Sequence, residues 1–138
     1  MTLPEKQLAL ARAWLEKAQG DVEAARAAMD NLRVPAWVIG FHLQQAIEKA
    51  WKGRLVLVGV RPPAVHDLRA LLQAREPAAD PPPEVVPVVE VLQPFAVEER
   101  YPLLSPREAD RAELQSVLPN VEREVDELRD AIRDRSEG

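Results

Sequence analysis

From Leu8 through Ala11, Leu15, Ala18, Val22 and Ala25 to Met29, apolar residues recur alternately three and four positions apart. That spacing lines one face of a helix over several turns. Glu16, Lys17, Asp21 and Glu23 fall off the stripe, so the pattern predicts an amphipathic helix from Pro4 to Asp30. Pro4 stands where a helix tolerates the ring. Gly20 should weaken the helix by about 1 kcal/mol relative to alanine.

A similar period returns near the other end, through Leu114, Leu118, Val121, Val125, Leu128 and Ile132. Ser105-Pro106-Arg107-Glu108 reads as the start of that helix, with Ser as the cap, Pro in the first helical position and Glu closing a capping box. Pro119 should kink it near Gln115, whose carbonyl loses its donor. Asp134 to Gly138 should fray.

The middle of the chain is greasier. From Ala36 to Val58, Ile39, Leu43, Ala46, Ile47, Ala50 and Leu57 share one helical face, and Trp37, Phe41, Trp51 and Leu55 share another. A helix apolar on two faces belongs at the centre of a bundle. Gly59 is a natural stop for it. After the rigid Arg61-Pro62-Pro63 connector, His66 to Leu72 reads as a short third helix, with Asp67 in its first turn where a negative charge suits the helix dipole. Glu76 to Pro83 carries four prolines and no apolar period, which predicts a loop. Val85 to Val97 is valine-rich, a strand preference by composition. No second strand pattern exists to pair with it, and Pro87 and Pro94 oppose a central strand. The expectation is a fourth helix kinked at Pro94. The whole predicts an all-α, up-and-down bundle of four to five helices, one domain across the 138 residues.

Composition narrows the chemistry. The chain has no cysteine, which removes disulfides, thiol nucleophiles and thiolate metal sites. Two histidines without cysteine make a structural zinc site a poor fit, and no metal is expected. The five glycines are scattered, so there is no glycine-rich phosphate loop, and no Gly-x-Ser-x-Gly elbow occurs. A net charge of −5 argues against broad, nonspecific nucleic-acid binding while leaving room for a local basic patch. No run approaches the roughly 18 apolar residues of a membrane span, and the first twenty residues lack a secretory apolar region. The expected location is the cytoplasm.

The most informative stretch is Phe41-His42-Leu43-Gln44-Gln45-Ala46-Ile47-Glu48-Lys49-Ala50. Burying such polar groups unpartnered costs roughly 1–3 kcal/mol each. Other helices, a second subunit or a ligand must therefore satisfy them. One reading is a network between helices. The other is a groove in which His42, Gln45, Lys49 and Lys52 present donors to a phosphate or a base. His66-Asp67 is either a local cap or part of the same cluster. Arg100-Tyr101-Pro102 adds a guanidinium suited to planar anions, able to pair with Glu48, Asp67 or a phosphate, beside the only tyrosine.

These blocks together carry a resemblance. Ala13-Trp14-Leu15, Ala18, Asp21-Val22 and Ala25 come first, then Phe41 to Ala46 with Glu48-Lys49, then Pro63 with His66-Asp67-Leu68, then Glu99-Arg100-Tyr101-Pro102. In this order they resemble the HEPN family, the higher eukaryotes and prokaryotes nucleotide-binding domain, over nearly the whole chain. The resemblance implies a dimerising helical bundle. It also implies a nucleotide ligand such as ATP, and a minimal nucleotidyltransferase from a neighbouring gene as partner in a toxin–antitoxin-like pair. The ligand or partner groove is then expected at His42, Gln45, Glu48, Lys49, Lys52, His66, Asp67, Arg100 and Tyr101.

One branch of that family is made of metal-independent ribonucleases, marked by Arg, four to six residues and His late in the bundle. Arg61-(x4)-His66 has the spacing but sits between the second and third helices, and no histidine follows Arg100. A ribonuclease toxin using Arg61, His66 and Arg100 is therefore an alternative, and a non-catalytic scaffold is another. The leading expectation is a module that is not an enzyme by itself. A homodimer is expected independently, because Trp14, Trp37, Phe41, Trp51 and Leu55 are more large groups than a small bundle easily hides.

Overall fold

The computed structural model describes residues 4–75, 82–96 and 110–137. Among them are five α-helices and no strand: α1 Glu5–Met29, α2 Ala36–Leu57, α3 Leu68–Arg75, α4 Val86–Leu92 and α5 Arg111–Glu137. The chain is an all-α bundle.

α1 and α2 form an antiparallel hairpin. Gln7, near the start of α1, donates through Nε2 to the Val56 carbonyl at 2.6 Å, near the end of α2. Ala11, Ala18 and Ala25, seven residues apart, are completely buried, and these small side chains let the two backbones approach. Leu15 and Met29, also on the predicted stripe, are half-buried. α5 packs along both helices. It runs antiparallel to α1, since Arg111 reaches the Ala28 carbonyl at 3.0 Å while Arg26 pairs with Glu122. α2 is therefore the central element, and Ile39, Leu43, Ile47, Trp51 and Leu55 along it are fully buried. Truncating one such leucine to alanine costs about 2–5 kcal/mol.

The helix ends follow from local chemistry. α2 stops in a Schellman arrangement: Gly59 takes φ 79°, and Val60 N–H donates back to the Leu55 carbonyl at 2.9 Å. Asp67 was expected inside the first turn of α3; it stands just before it instead. Its Oδ1 accepts the N–H groups of Arg69 at 2.9 Å and Ala70 at 3.4 Å, so it acts as an N-cap and leaves His66 outside the helix. Asp110 plays the same part for α5, accepting from Ala112 and Glu113. The Ser105-Pro106 start expected for that helix lies outside the described residues. α5 continues through Pro119 and remains helical to Glu137, past the Asp134 where fraying was expected.

The fourth helix is shorter than the expected Val85–Val97. Pro94 has no N–H for the Glu90 carbonyl, and the chain tightens into a 3-10 turn at Gln93–Phe95. The apolar surplus also shrinks. Trp51 and Leu55 are core residues, because α2 is covered on more than two sides. Trp14 is half-buried, with the Lys52 ammonium 5.7 Å from its ring centre. Trp37, at 53% exposure, and Leu32, at 86%, remain open beside the α1–α2 connection. No described helix is long and apolar enough to cross a membrane.

Candidate functional site: the polar edge of α2

The polar residues of α2 divide between two carboxylates. On the α1 side, Asp21 receives the Lys49 ammonium at 2.5 Å on one oxygen and faces His42 Nδ1 at 2.9 Å on the other. Asp21 is only 11% exposed, against 27% for His42 and 21% for Lys49. An alternation of three and four, His42-Gln45-Lys49, sets these side chains on one line of the helix.

On the α3 side the carboxylate is Glu48, buried at 3%. Its Oε1 lies 3.0 Å from His66 Nδ1 and accepts from Gln44 Nε2 at 3.2 Å; its Oε2 accepts from Lys52 at 3.3 Å. Gln44 also donates to the His66 carbonyl at 3.0 Å, which ties the connector before α3 to α2. Gln45 extends this side by donating to Gln44 Oε1 at 2.8 Å.

Both imidazoles are thus held the same way. A carboxylate occupies Nδ1, which places the proton there and leaves Nε2 as the outward atom. Neither Nε2 has a partner among the described residues. Each is a bare acceptor when the ring is neutral and becomes a donor on protonation, with a counter-charge already behind it.

The structure therefore brings His42, Gln45, Glu48, Lys49, Lys52 and His66 together along one edge, as two neighbouring networks rather than one open groove. Asp67 is spent on capping α3 and is exposed. Arg61 is exposed and makes no hydrogen bond or ion pair among the described residues. Arg100 and Tyr101 lie outside them.

A third network escaped the sequence reading. Trp51 Nε1 donates to Glu124 Oε1 at 2.7 Å, and Arg75 donates to the same oxygen at 2.6 Å while lying 5.3 Å from the Trp51 ring centre. Burial alone would push the Glu124 carboxyl up, but the bonds from Trp51 and Arg75 and the charges of Arg75 and Arg54 outweigh it and hold it below its ordinary value. Glu127, bonded to Arg54 at 2.8 Å, is shifted the other way, by burial and then by the Glu124 charge. The signal was present. Glu124 falls three residues after Val121 and four before Leu128, and Arg75 four after Leu71, so both lie on apolar stripes.

Among the described residues no group of three His, Cys, Asp or Glu side chains could hold a metal ion. A cleft of about 290 Å³ between α1 and α5, lined by Gln19, Arg26, Asp126 and Arg129, lies away from the α2 edge.

An all-α bundle with paired polar side chains along its central helix defines a class of helical modules. The HEPN domain family model matches residues 11–132, and the chain belongs to that family. Comparison with curated proteins and with solved structures yields no match.

Proposed function

We propose that this HEPN module binds a nucleotide along the polar edge of α2. It does so as a homodimer that partners a minimal nucleotidyltransferase from an adjacent gene in a toxin–antitoxin-like pair in the cytoplasm. The observation that carries this reading is the common orientation of His42 and His66. Each is anchored through Nδ1 on a carboxylate and turned outward through Nε2, with Lys49 beside the first. Such an edge offers a small anion the Lys49 ammonium and, where the rings are protonated, two Nε2–H donors, without requiring a basic face, which suits a chain of net charge −5. The exposed Trp37 and Leu32 supply apolar surface for a second copy.

Titration with ATP, followed by melting temperature and by the ring resonances of the two histidines, tests the first part. A ligand at 100 times its Kd adds about 2.7 kcal/mol of stability and is plainly visible. Unchanged melting and unchanged resonances at millimolar ATP would leave only the protein partner. Co-purification with the adjacent gene product tests that partnership, and sedimentation that finds only monomer at micromolar concentration removes the dimer.

One observation favours a second reading, a ribonuclease. His66, backed by Glu48, has the arrangement of a general acid/base, and Arg61, five residues before it, has no partner among the described residues. The net negative charge and the placement of both residues between α2 and α3 weigh against it. Expression in a bacterium decides: RNA cleavage and growth arrest abolished by His66→Ala support it, and their absence in the wild-type chain removes it.

A further inference from the structure

The Gln44–Gln45 pair has a polarity that the fold dictates. Gln44 is completely buried, and its Nε2 faces two groups that only accept, the Glu48 carboxylate and the His66 carbonyl. The amide nitrogen must occupy that side, so Oε1 takes the other. Gln45 meets this oxygen with its own Nε2 at 2.8 Å. Turning the Gln45 carboxamide over would set two oxygens against each other. Gln45 Oε1 is therefore directed away from the network. No buried side-chain oxygen or nitrogen lacks a partner among the described residues, and this oxygen has none, so it opens to solvent.

A free surface glutamine keeps its rotamers and offers either end of its amide. Gln45 has given up that freedom through a relay that begins at a buried carboxylate. It presents only an acceptor, one helical turn from both His42 and Lys49. The Lys49 ammonium and, in their protonated form, the imidazoles suit the anionic part of a ligand. A fixed neutral acceptor among them suits a neutral N–H.

Resting on the nucleotide reading above, we propose that Gln45 Oε1 selects the base: it accepts from an exocyclic amino group and rejects the oxo group in the same position. An amino-purine nucleotide gains a hydrogen bond there. Its 6-oxo counterpart places oxygen against oxygen.

Calorimetric titration of the full chain with ATP and with inosine triphosphate, which differ in the 6-amino and 6-oxo groups, tests this. ATP is expected to bind roughly tenfold more tightly, the worth of one such hydrogen bond. In Gln45→Leu the two affinities should converge, ATP binding weakening as its hydrogen bond is lost and inosine triphosphate binding tightening as the oxygen–oxygen repulsion is relieved. Gln45→Ala serves the same purpose if leucine disturbs packing, and the melting temperature of each ligand-free variant checks its fold. Gln45→Lys, which can only donate, should reverse the preference. Equal binding of the two nucleotides by the wild-type chain, or a preference that survives in the folded Gln45→Leu or Gln45→Ala chain, overturns the assignment and leaves the nucleotide site standing. Failure of both nucleotides to bind overturns the site and the assignment together.

Discussion

Glu48 and His66 meet across the α2–α3 connection, with the carboxylate Oε1 3.0 Å from imidazole Nδ1, and the glutamate is 4% exposed in its side chain where the histidine is 40% exposed. A buried acid thus orients a surface ring. The same acid neutralises Lys52, whose side chain is only 8% exposed.

Glu48→Gln keeps the shape and removes the charge. Lys52 is then left buried without a counter-ion. The expected cost is roughly 3 kcal/mol, the low end for halving a buried pair, because the amide oxygen still accepts from Lys52. The Trp14 face also remains near the ammonium. Urea denaturation reads this as a lower midpoint at unchanged slope. The double change Glu48→Leu with Lys52→Met should recover most of the loss, since matched apolar replacement of a buried pair is often neutral. A single variant as stable as the wild type would remove Glu48 as the organising group.

The stripes of α1 and α5 were legible because a 3.6-residue period survives in any helix that buries one face. The polar edge of α2 was legible for a related reason, since charged groups amid apolar neighbours demand partners. The partners were not legible. Asp21 reaches His42 and Lys49 only through the register of the α1–α2 hairpin, which no local spacing encodes. Glu124 drew no notice in the sequence, although its position between Val121 and Leu128 puts it on the buried face. Asp67 was expected inside the helix rather than at its cap, because a capping side chain and a first-turn side chain look alike in sequence. The expected surplus of large apolar groups counted only two covered faces on α2, and Trp51 and Leu55 lie beneath others.

Two glycines separate backbone preference from packing. A Cβ on Gly20 would meet nothing within 4 Å. Gly20→Ala should stabilise by about 1 kcal/mol, the helix preference alone. A Cβ on Gly53 would stand 2.7 Å from Leu128 Cδ2 and 3.2 Å from Trp14 Cβ, and Leu128 is fully buried. Gly53→Ala gains the same preference but suffers overpacking of about 1–3 kcal/mol, so the net change is a loss. Calorimetry should show the melting temperature rising for the first variant and falling for the second.

The two aspartate caps should behave alike. Asp67→Ala and Asp110→Ala each leave two helix N–H groups without a side-chain acceptor and should each cost about 1 kcal/mol. Asp67→Ala carries a further consequence. It loosens the start of α3 next to His66 without touching the Glu48 contact. Hydrogen exchange at Arg69 and Ala70 should therefore quicken, while the His66 ring keeps its wild-type environment by NMR. A His66 resonance that moves as far as in Glu48→Gln would mean that the cap, not the carboxylate, holds the ring.

The Glu124–Glu127 pair gives the stability a shaped dependence on acidity. The folded-state value of Glu124 lies below its ordinary one, so its contribution is fully present above the unfolded value of 4.5 and is lost as pH falls through the folded value. Glu127 is raised, so its contribution is present below 4.5 and is lost as pH rises through its folded value. On acidification from neutrality, Glu127 takes its proton first and relieves its repulsion with Glu124. Glu124 follows and loses its hold on Arg75 and Trp51. Glu127→Gln should therefore remove a small gain at mildly acid pH, one that salt also weakens because the side chain is 46% exposed. Glu124→Gln should lower stability at neutral pH, by about 1–3 kcal/mol, since the buried Arg75 and Trp51 then meet a neutral amide where the carboxylate stood. It should also flatten the acid limb, because the group that titrates there is gone. Urea midpoints measured from pH 7 to pH 3 for the three chains check this, and an acid limb of undiminished slope in Glu124→Gln would assign that limb to other carboxylates.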